Sequence, residues 1–350
     1  MYEKLFDKQT KMTDFPKQDI DKLIDLVDTS KNITIVTHVN PDGDAIGSVI
    51  AWSSFLKERG INSTIISPNP FPDFLKWINK SEEILIYSLN KKKTEEILKC
   101  SDLLFCLDFN SLSRLDRLGN FIETIDVKKI LIDHHINPKK EDFTVSFSKV
   151  PISSTCEIVY NLIAQISGSK IVSQDIAEAI YTGMLTDTGA FAHSTNADLF
   201  RIVADLIDCG VDQKKTHSLV YNNFSEHRMR LMSYSIYNKM VVLPEYKTAY
   251  ISLTRNELDE FKYEPGDTEG FVNIPLSIKD IAVSVLFMES KDGYIKISFR
   301  SVGDFSVDSL SRRHFNGGGH KNASGGKSFS TMEETISHFL NILPEYKNEL

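Results

Sequence analysis

Short apolar runs alternate with longer amphipathic stretches through the first two thirds of the chain. The β-branched run from Ile33 to Thr37 precedes a polar loop, as expected of a buried strand. A helical pattern then extends from Ala45 to Arg59 and meets Gly60, a residue type that commonly ends helices. Strands that alternate with helices predict an α/β fold with a parallel sheet flanked by helices on both faces. Further strands are predicted at 63–66, 103–107 and 129–132, and further helices at 154–166, 173–186 and 197–209.

The pattern changes in the last third of the chain, where a second, smaller α/β domain is predicted. A charged, helix-like stretch precedes it, and we interpret this stretch as a helical linker. We therefore predict an N-terminal domain over 17–215, the linker over 216–239 and a C-terminal domain over 240–345, with a cleft between the two domains. In the C-terminal domain, strands are predicted at 248–253, 281–288 and 294–300, and helices at 306–315 and 331–343.

Composition and charge narrow the classes of function. The chain has 350 residues, of which 41% are hydrophobic and 25% are charged, as in ordinary folded domains. It shows neither the apolar core of a signal peptide nor the ~18 apolar residues of a membrane span, so we expect a cytoplasmic protein that does not bind membranes. The net charge of −8 favours a small anionic ligand over a long nucleic-acid duplex. The four cysteines form no CxxC pair and are expected to be free thiols.

Acidic residues and a histidine lie where predicted strands and helices end. His38, Asp42 and Asp44 occupy the loop after the first strand, which is where open α/β sheets bind ligands. Asp108 ends a later apolar strand, and Asp187 ends a predicted helix. Each of these residues taken alone is compatible with a simple turn or helix cap.

A second group of polar residues, Asp133, His134 and His135, follows the predicted strand at 129–132. Two adjacent histidines after a buried strand are unusual, and imidazole is both the commonest metal ligand and a partner for phosphate. A structural role for the pair remains an alternative at this point.

If the acids converge in the fold, they indicate a cation site, because four crowded carboxylates could not all stay ionised without cations. Two divalent cations would balance Asp42, Asp44, Asp108 and Asp187. Histidine nitrogens would complete a mixed shell that suits manganese or magnesium, although cobalt or zinc is also allowed. Two cations roughly 3.5–4 Å apart can activate water and stabilise a leaving oxygen in phosphoryl transfer.

The order of these motifs resembles the DHH phosphoesterase superfamily. The carrying motifs are HVNPDGDAIGS from His38, the Asp108 strand end, DHH at 133–135 and TDTG at 186–189. The segment GGGHKNASGG from Gly317 resembles the signature of the companion DHHA1 domain. The segment DTEGFVNIPL from Asp267 is similar to the nanoRNase group, which comprises oligoribonucleases and pAp (3′-phosphoadenosine 5′-phosphate) phosphatases. The resemblance implies that 17–215 is the DHH catalytic domain and 240–345 a DHHA1 substrate-binding domain.

The resemblance implies roles for individual residues in a two-metal site. One cation would be held by His38, Asp42 and Asp108. The other would be held by Asp44, Asp108, His134 and Asp187. Asp108 would thus bridge the two, while Asp133 would orient a neighbouring ligand and His135 would contact the scissile phosphate.

The resemblance also implies a site for a terminal phosphate in the C-terminal domain. Glycines allow a backbone to approach phosphate closely, and arginine binds phosphate through two parallel hydrogen bonds. The substrate-binding residues would be Arg300, Gly317, Gly318, Gly319, His320, Lys321 and Ser324.

The expected activity is hydrolysis of RNA of two to five nucleotides to mononucleotides and of pAp to AMP, by water that two manganese ions activate. Magnesium or cobalt could replace manganese. Short RNA, pAp and the dinucleotide pApA are the expected partners, and a homodimer is compatible with the sequence. Alternatives with the same site are a phosphodiesterase for cyclic dinucleotides or pApA, a pyrophosphatase and an exopolyphosphatase. A non-catalytic nucleotide-binding regulator is the alternative from another class.

Overall fold

The computed structural model describes residues 14–150, 152–170 and 172–349. Within these ranges the chain forms two compact units that meet in sequence between Asn223 and Phe224. No helix in the described ranges is long and apolar enough to cross a bilayer.

The first unit is an α/β domain, as the alternation of strands and helices predicts. Its helices are α1 (Lys17–Thr29), α2 (Gly43–Glu58), α3 (Lys91–Cys100), α4 (Arg117–Ile122), α5 (Thr155–Ser167), α6 (Gln174–Asp187), α7 (Ala197–Asp208) and α8 (Gln213–Tyr221). Its strands are β1 (Ile33–Val36), β2 (Ser63–Ser67), β3 (Leu85–Ile86), β4 (Leu103–Leu107), β5 (Lys128–Asp133) and β6 (Val145–Ser148).

The six strands form one parallel sheet, which confirms the predicted fold class. Their order is β3-β2-β1-β4-β5-β6. Both faces of the sheet are covered by apolar side chains. Ile35 and Phe105 belong to the core on one face, whereas Val36, Leu104 and Leu131 belong to the core on the other. Burial on both faces explains why these strands read as continuous apolar runs instead of alternating patterns.

The strand order reverses between β1 and β4, which lie side by side at the centre of the sheet. From this point β2 and β3 extend to one side, and β5 and β6 extend to the other. At such a reversal the loops that leave the two central strands diverge, and a crevice opens beyond their carboxyl ends. The loops that carry the predicted metal ligands therefore begin at this crevice.

Helices α2 and α6 approach each other closely because glycines lie where they meet. A Cβ atom on Gly47 would lie 2.4 Å from the carbonyl oxygen of Ala179. A Cβ atom on Gly183 would lie 2.2 Å from Sγ of Cys156 and 2.9 Å from Oδ1 of Asp44. The contact with Asp44 places the start of α2 against α6, and the contact with Cys156 places α5 against α6.

The second unit contains a mixed six-stranded sheet with helices. Its helices are α9 (Glu226–Asn238), α10 (Arg255–Glu260), α11 (Val307–His314) and α12 (Met332–Tyr346). Its strands are β7 (Met240–Leu243), β8 (Thr248–Leu253), β9 (Val283–Glu289), β10 (Ile295–Ser301), β11 (Gly318–His320) and β12 (Ala323–Ser328). The strand order is β11-β12-β10-β9-β8-β7, with β8 and β9 parallel and the other neighbouring pairs antiparallel.

The two faces of this second sheet differ. On one face Ile297 and Phe299 of β10 pack with Phe339 of α12. On the other face Leu286 of β9 packs with Phe271, which begins a 3₁₀ stretch. Because successive side chains of a strand point to opposite faces, the even-numbered residues of β10 lie on the face opposite to α12.

Residues of the linker predicted at 216–239 are shared between the two units. Val220 of α8 is buried in the core of the first unit, and Leu231 of α9 is buried in the core of the second. Both helices carry apolar residues that need burial, and each helix satisfies this need in its own unit.

Substitution of Gly183 by alanine tests the close approach of α2 and α6. We expect Gly183→Ala to lower the free energy of unfolding by about 3 kcal/mol, because the added methyl group has no room. Gly168→Ala is the matched control: nothing lies within 4 Å of its Cβ position, and its φ of +64° predicts a loss of about 1 kcal/mol. Urea denaturation measures both. Equal losses in the two variants would contradict the helix contact.

Candidate metal centre

Asp108 lies at the centre of a buried cluster of acids and histidines beyond the ends of β1, β4 and β5. Its amide donates a hydrogen bond to the carbonyl of Ile132 at 3.0 Å, which holds the end of β4 against β5. Its φ is +65°, a left-handed conformation that costs roughly 1–2 kcal/mol in a residue other than glycine. Its Oδ2 lies 3.3 Å from Nε2 of His38, and its Oδ1 lies 3.6 Å from Nε2 of His134. The two carboxylate oxygens therefore each approach a different histidine.

The first ligand group consists of His38, Asp42 and Asp108, whose ligand atoms all lie within 4.8 Å of one another. Nδ1 of His38 lies 2.9 Å from the carbonyl oxygen of Val39, to which it can donate, and this leaves Nε2 as the candidate ligand atom. Asp42 caps α2, since its Oδ1 accepts hydrogen bonds from the amides of Asp44 and Ala45. Backbone contacts thus orient both loop residues.

The second ligand group consists of Asp44, His134 and Asp187, again with ligand atoms within 4.8 Å of one another. Nε2 of His134 lies 3.8 Å from Oδ2 of Asp44 and 3.5 Å from Oδ2 of Asp187. Asp44 accepts hydrogen bonds from the amides of Thr155 and Cys156 at 2.7 and 2.9 Å. These amides open α5, and the positive end of a helix stabilises a carboxylate.

His135 is held by Asp133, which lies behind it at the end of β5. Nδ1 of His135 and Oδ1 of Asp133 are 2.7 Å apart. Burial lowers the pKa of His135 well below its ordinary value, and the positive charges of His134 and Arg114 lower it further. The hydrogen bond to Asp133 therefore fixes the orientation of the His135 ring.

The charges of this cluster favour cations. Burial raises the pKa of Asp44 to about 7, and the neighbouring charge of Asp187 contributes. Burial and the charges of Asp44 and Asp42 raise the pKa of Asp108 well above its ordinary value. Buried carboxylates that repel one another are costly unless a cation balances them. Carboxylate oxygens combined with imidazole nitrogens are a donor set that fits divalent cations such as manganese.

The sequence reading missed two residues that contact or surround this cluster. Oγ1 of Thr155 donates a hydrogen bond to Oδ1 of Asp108 at 2.9 Å. The charge of Arg114 lowers the pKa of His38 and of His135, although burial is the larger cause for both. Nε of Arg114 is buried without a hydrogen-bond partner among the described residues. The available signal was the position of each residue, Arg114 shortly after a strand-end acid and Thr155 at the start of a helix.

In the second unit, the structure brings two of the predicted phosphate-binding residues onto one face of the sheet. Arg300 of β10 pairs in register with Ala323 of β12, and Ala323 pairs with His320 of β11. Residues in register on neighbouring strands face the same side. Arg300 and His320 are therefore about 10 Å apart along this row.

The remaining predicted phosphate-binding residues have structural contacts of their own. Gly318 and Gly319 of the glycine run lie in β11, and a Cβ atom on Gly317 would lie 2.0 Å from the carbonyl oxygen of Gly325. The amide of Gly319 donates to Asp308 at 2.6 Å. Lys321 pairs with Asp304, and the buried hydroxyl of Ser324 donates to the carbonyl of Val307. For Gly318, a Cβ atom would lie 3.0 Å from the Arg312 guanidinium.

The raised pKa values predict a dependence of stability on pH that cations should remove. The pKa of Asp44 is 3.8 in the unfolded chain and about 7 in the folded one, so its contribution to folding is complete below pH 3.8 and is lost as pH rises to 7. With EDTA present, we expect Tm to fall by roughly 3 °C or more between about pH 5 and about pH 8. The rise in Tm on adding Mn²⁺ should be larger at the higher pH, since cations bind ionised carboxylates. Differential scanning calorimetry measures both quantities, and equal rises at the two pH values would count against the site.

Comparison with known proteins identifies the family of this chain. The model of the DHH family N-terminal domain matches residues 32–184, and that of the DHHA1 domain matches residues 245–349. The bifunctional oligoribonuclease and PAP phosphatase NrnA of Thermus thermophilus is 30% identical over 84% of this chain and 83% of its own. NrnA of Bacillus subtilis is 26% identical over 91% of this chain and 95% of its own.

A solved structure shares the whole fold. An exopolyphosphatase-related protein from Bacteroides fragilis superposes with a TM-score of 0.88 at 42% identity, covering 95% of this chain and 97% of its own. The motifs, the fold and these relatives agree, and the chain belongs to the DHH family of metal-dependent phosphoesterases that carry a C-terminal DHHA1 domain.

Proposed function

We propose that this chain hydrolyses RNA of two to five nucleotides to mononucleotides and pAp to AMP, with two divalent cations, foremost Mn²⁺. The observation that carries the proposal is the position of Asp108, which belongs to the first ligand group and lies 3.6 Å from Nε2 of His134 in the second. Two relatives that align over most of the chain are named as bifunctional oligoribonuclease and PAP phosphatase, which supports the choice of substrates.

Each of the two ligand groups is proposed to hold one cation. His38, Asp42 and Asp108 would hold the first cation. Asp44, Asp108, His134 and Asp187 would hold the second. Bound cations supply Lewis acidity, which lowers the pKa of water and stabilises charge on phosphate oxygens.

Side chains around the cations would prepare the site for a phosphate. Thr155 restrains one oxygen of Asp108 by a hydrogen bond, so the shared ligand cannot rotate freely. Asp133 holds His135 in one orientation, in which the ring can contact the scissile phosphate. Arg114 adds a half-buried positive charge near His38 and His135. Groups fixed before the substrate arrives stabilise a developing negative charge without the cost of reorganisation.

The DHHA1 domain would bind the terminal phosphate of the substrate. Arg300 and His320 share one face of the second sheet and are the proposed ligands for the phosphate oxygens. Gly317 and Gly318 would let the backbone approach, while Gly319, Lys321 and Ser324 would act mainly by holding β11, β12 and the end of β10 in place.

A product assay with Mn²⁺ tests this proposal. The substrates are pAp, pApA, an RNA 5-mer, an RNA 24-mer, a cyclic dinucleotide, pyrophosphate and inorganic polyphosphate. We expect turnover of pAp, pApA and the 5-mer, with the 24-mer cut at least a hundredfold more slowly. Asp108→Asn should lower turnover at least a thousandfold, because the shared ligand loses its charge, yet asparagine tolerates the left-handed backbone and can accept the Thr155 hydrogen bond.

The same panel separates the alternatives. Preference for polyphosphate would agree with the name of the Bacteroides relative and would replace the nucleotide proposal. Preference for the cyclic dinucleotide would assign the chain to signalling nucleotides. Binding of nucleotides without any turnover would indicate a regulator. Full activity of Asp108→Asn would contradict the shared-ligand arrangement itself.

A further inference from the structure

One surface of the DHHA1 domain carries cations and aromatic rings beyond the row of Arg300 and His320. Along β10, Lys296 lies on the same face as Arg300, because the two residues are four positions apart in one strand. Lys327 of β12 is the register partner of Lys296, so two lysines lie directly opposite each other on neighbouring strands. Both side chains are exposed to solvent.

This pairing of lysines is unfavourable in the protein alone. Like charges directly opposite on neighbouring strands destabilise a sheet. Partial burial of its ammonium group lowers the pKa of Lys296; the charge of Glu269 opposes this effect, and the charges of Arg300 and Lys327 add to it. Lys296 and Lys327 therefore repel each other at close range, Arg300 adds to the repulsion on Lys296, and an anion would relieve it.

Aromatic rings adjoin the two lysines. The ammonium of Lys327 lies 4.9 Å from the centre of the Tyr294 ring. The Tyr294 ring is in turn 6.2 Å from the ring of Phe329, which is 74% exposed. Phe329 lies two positions after Lys327, and Tyr294 two positions before Lys296. Cations next to exposed aromatic rings are the combination that binds single-stranded nucleic acid, through phosphates and stacked bases.

We infer that this basic–aromatic strip, formed by Lys296, Lys327, Tyr294 and Phe329, binds the nucleotides that follow the terminal phosphate of a short single-stranded RNA. The inference deepens the proposed function and rests on it in one respect: the proposed function assigns the terminal phosphate of the RNA to Arg300. It adds a separate binding surface, away from the row of Arg300 and His320, that determines how substrate length affects affinity.

The spacing of residues along β10 sets the length of RNA that can reach the strip. Alternate residues of a strand are about 6.6 Å apart, a distance comparable to one nucleotide repeat of an extended backbone. Lys296 is therefore about 13 Å from Arg300, two such repeats away, and Tyr294 is one repeat further. A mononucleotide such as pAp is too short to reach the lysines, whereas an RNA of three or more nucleotides can reach them.

Equilibrium binding of an RNA 5-mer to the full chain in EDTA tests the strip without hydrolysis. A 3′-fluorescein 5-mer with a 5′-phosphate is followed by fluorescence anisotropy, and unlabelled pAp serves as competitor. For the double variant Lys296→Ala/Lys327→Ala we expect the Kd of the 5-mer to rise at least about tenfold. The slope of log K against log salt should fall by about 1.4. The affinity for pAp should change less than twofold.

Two further variants keep the test specific. Phe329→Ala should weaken the 5-mer at least about fivefold by removal of a stacking ring. Lys279→Ala/Lys347→Ala removes the same charge from exposed lysines elsewhere in the domain and should leave both affinities unchanged. Melting curves of all variants should coincide within a few degrees, since the substituted residues are exposed.

The outcomes separate the strip from the proposed reaction. An unchanged 5-mer affinity in the lysine variant, an equal loss in the control, or a wild-type chain that binds the 5-mer no more tightly than pAp would each overturn the strip. Hydrolysis of pAp and of the 5-mer by a chain whose strip failed this test would leave the proposed function standing. Length-dependent binding that the variants abolish, without hydrolysis of any nucleotide, would support the strip and refute the proposed reaction.

Discussion

Repulsion among buried carboxylates is the constraint on which the first domain depends. Asp44 and Asp108 are almost fully buried, and burial is the main reason that their pKa values are raised. The charge of Asp187 adds to the shift of Asp44, and the charge of Asp44 adds to the shift of Asp108. Such a cluster destabilises a folded chain unless cations neutralise it. The hydrogen bonds from Thr155 and from the start of α5 hold the acids in place despite this repulsion. The proposed cations would therefore serve both the stability of the domain and its phosphoester chemistry.

The sheet explains how distant segments reach one site. The loops after β1, β4 and β5 leave the same edge of a parallel sheet, at the point where the strand order reverses. Glycines at the contact of α2 and α6 let a fourth segment, the end of α6, approach the same edge. Each acid is therefore positioned by a regular element, and rigid elements hold ligands more accurately than loops do.

Much of the site could be predicted from the sequence, because its ligands follow recognisable elements. The carboxyl ends of parallel strands lie at one edge of a sheet. For this reason the acids after β1 and β4 come together with the DHH motif after β5. For Thr155 and Arg114 the sequence offers only their positions after a strand and at a helix start, and these do not suffice, since their contacts depend on helix packing and on the path of a 3₁₀ turn. The pairing of Gly318 and Gly319 with β12 also could not be predicted, because glycine is depleted in strands and long-range contact decides here.

The prediction of elements failed where local signals are weak or long-range contacts decide. Helix α1, the short strand β3 and helix α3 were not predicted; α3 buries only Thr94 and Leu98 and reads as a polar stretch. The division of 216–239 between the two units also depends on long-range contacts, because α8 and α9 each find a different core. Side chains on a sheet face, such as Lys296 and Lys327, become neighbours only through strand register.

Anomalous diffraction from crystals grown with Mn²⁺ would show directly whether Asp108 is shared by two cations. We expect two anomalous peaks in the first domain, one on each side of the Asp108 carboxylate, with His38 and Asp42 around one and Asp44, His134 and Asp187 around the other. A single peak, or peaks that do not contact Asp108, would contradict the shared-ligand site and with it the proposed role of the buried acids.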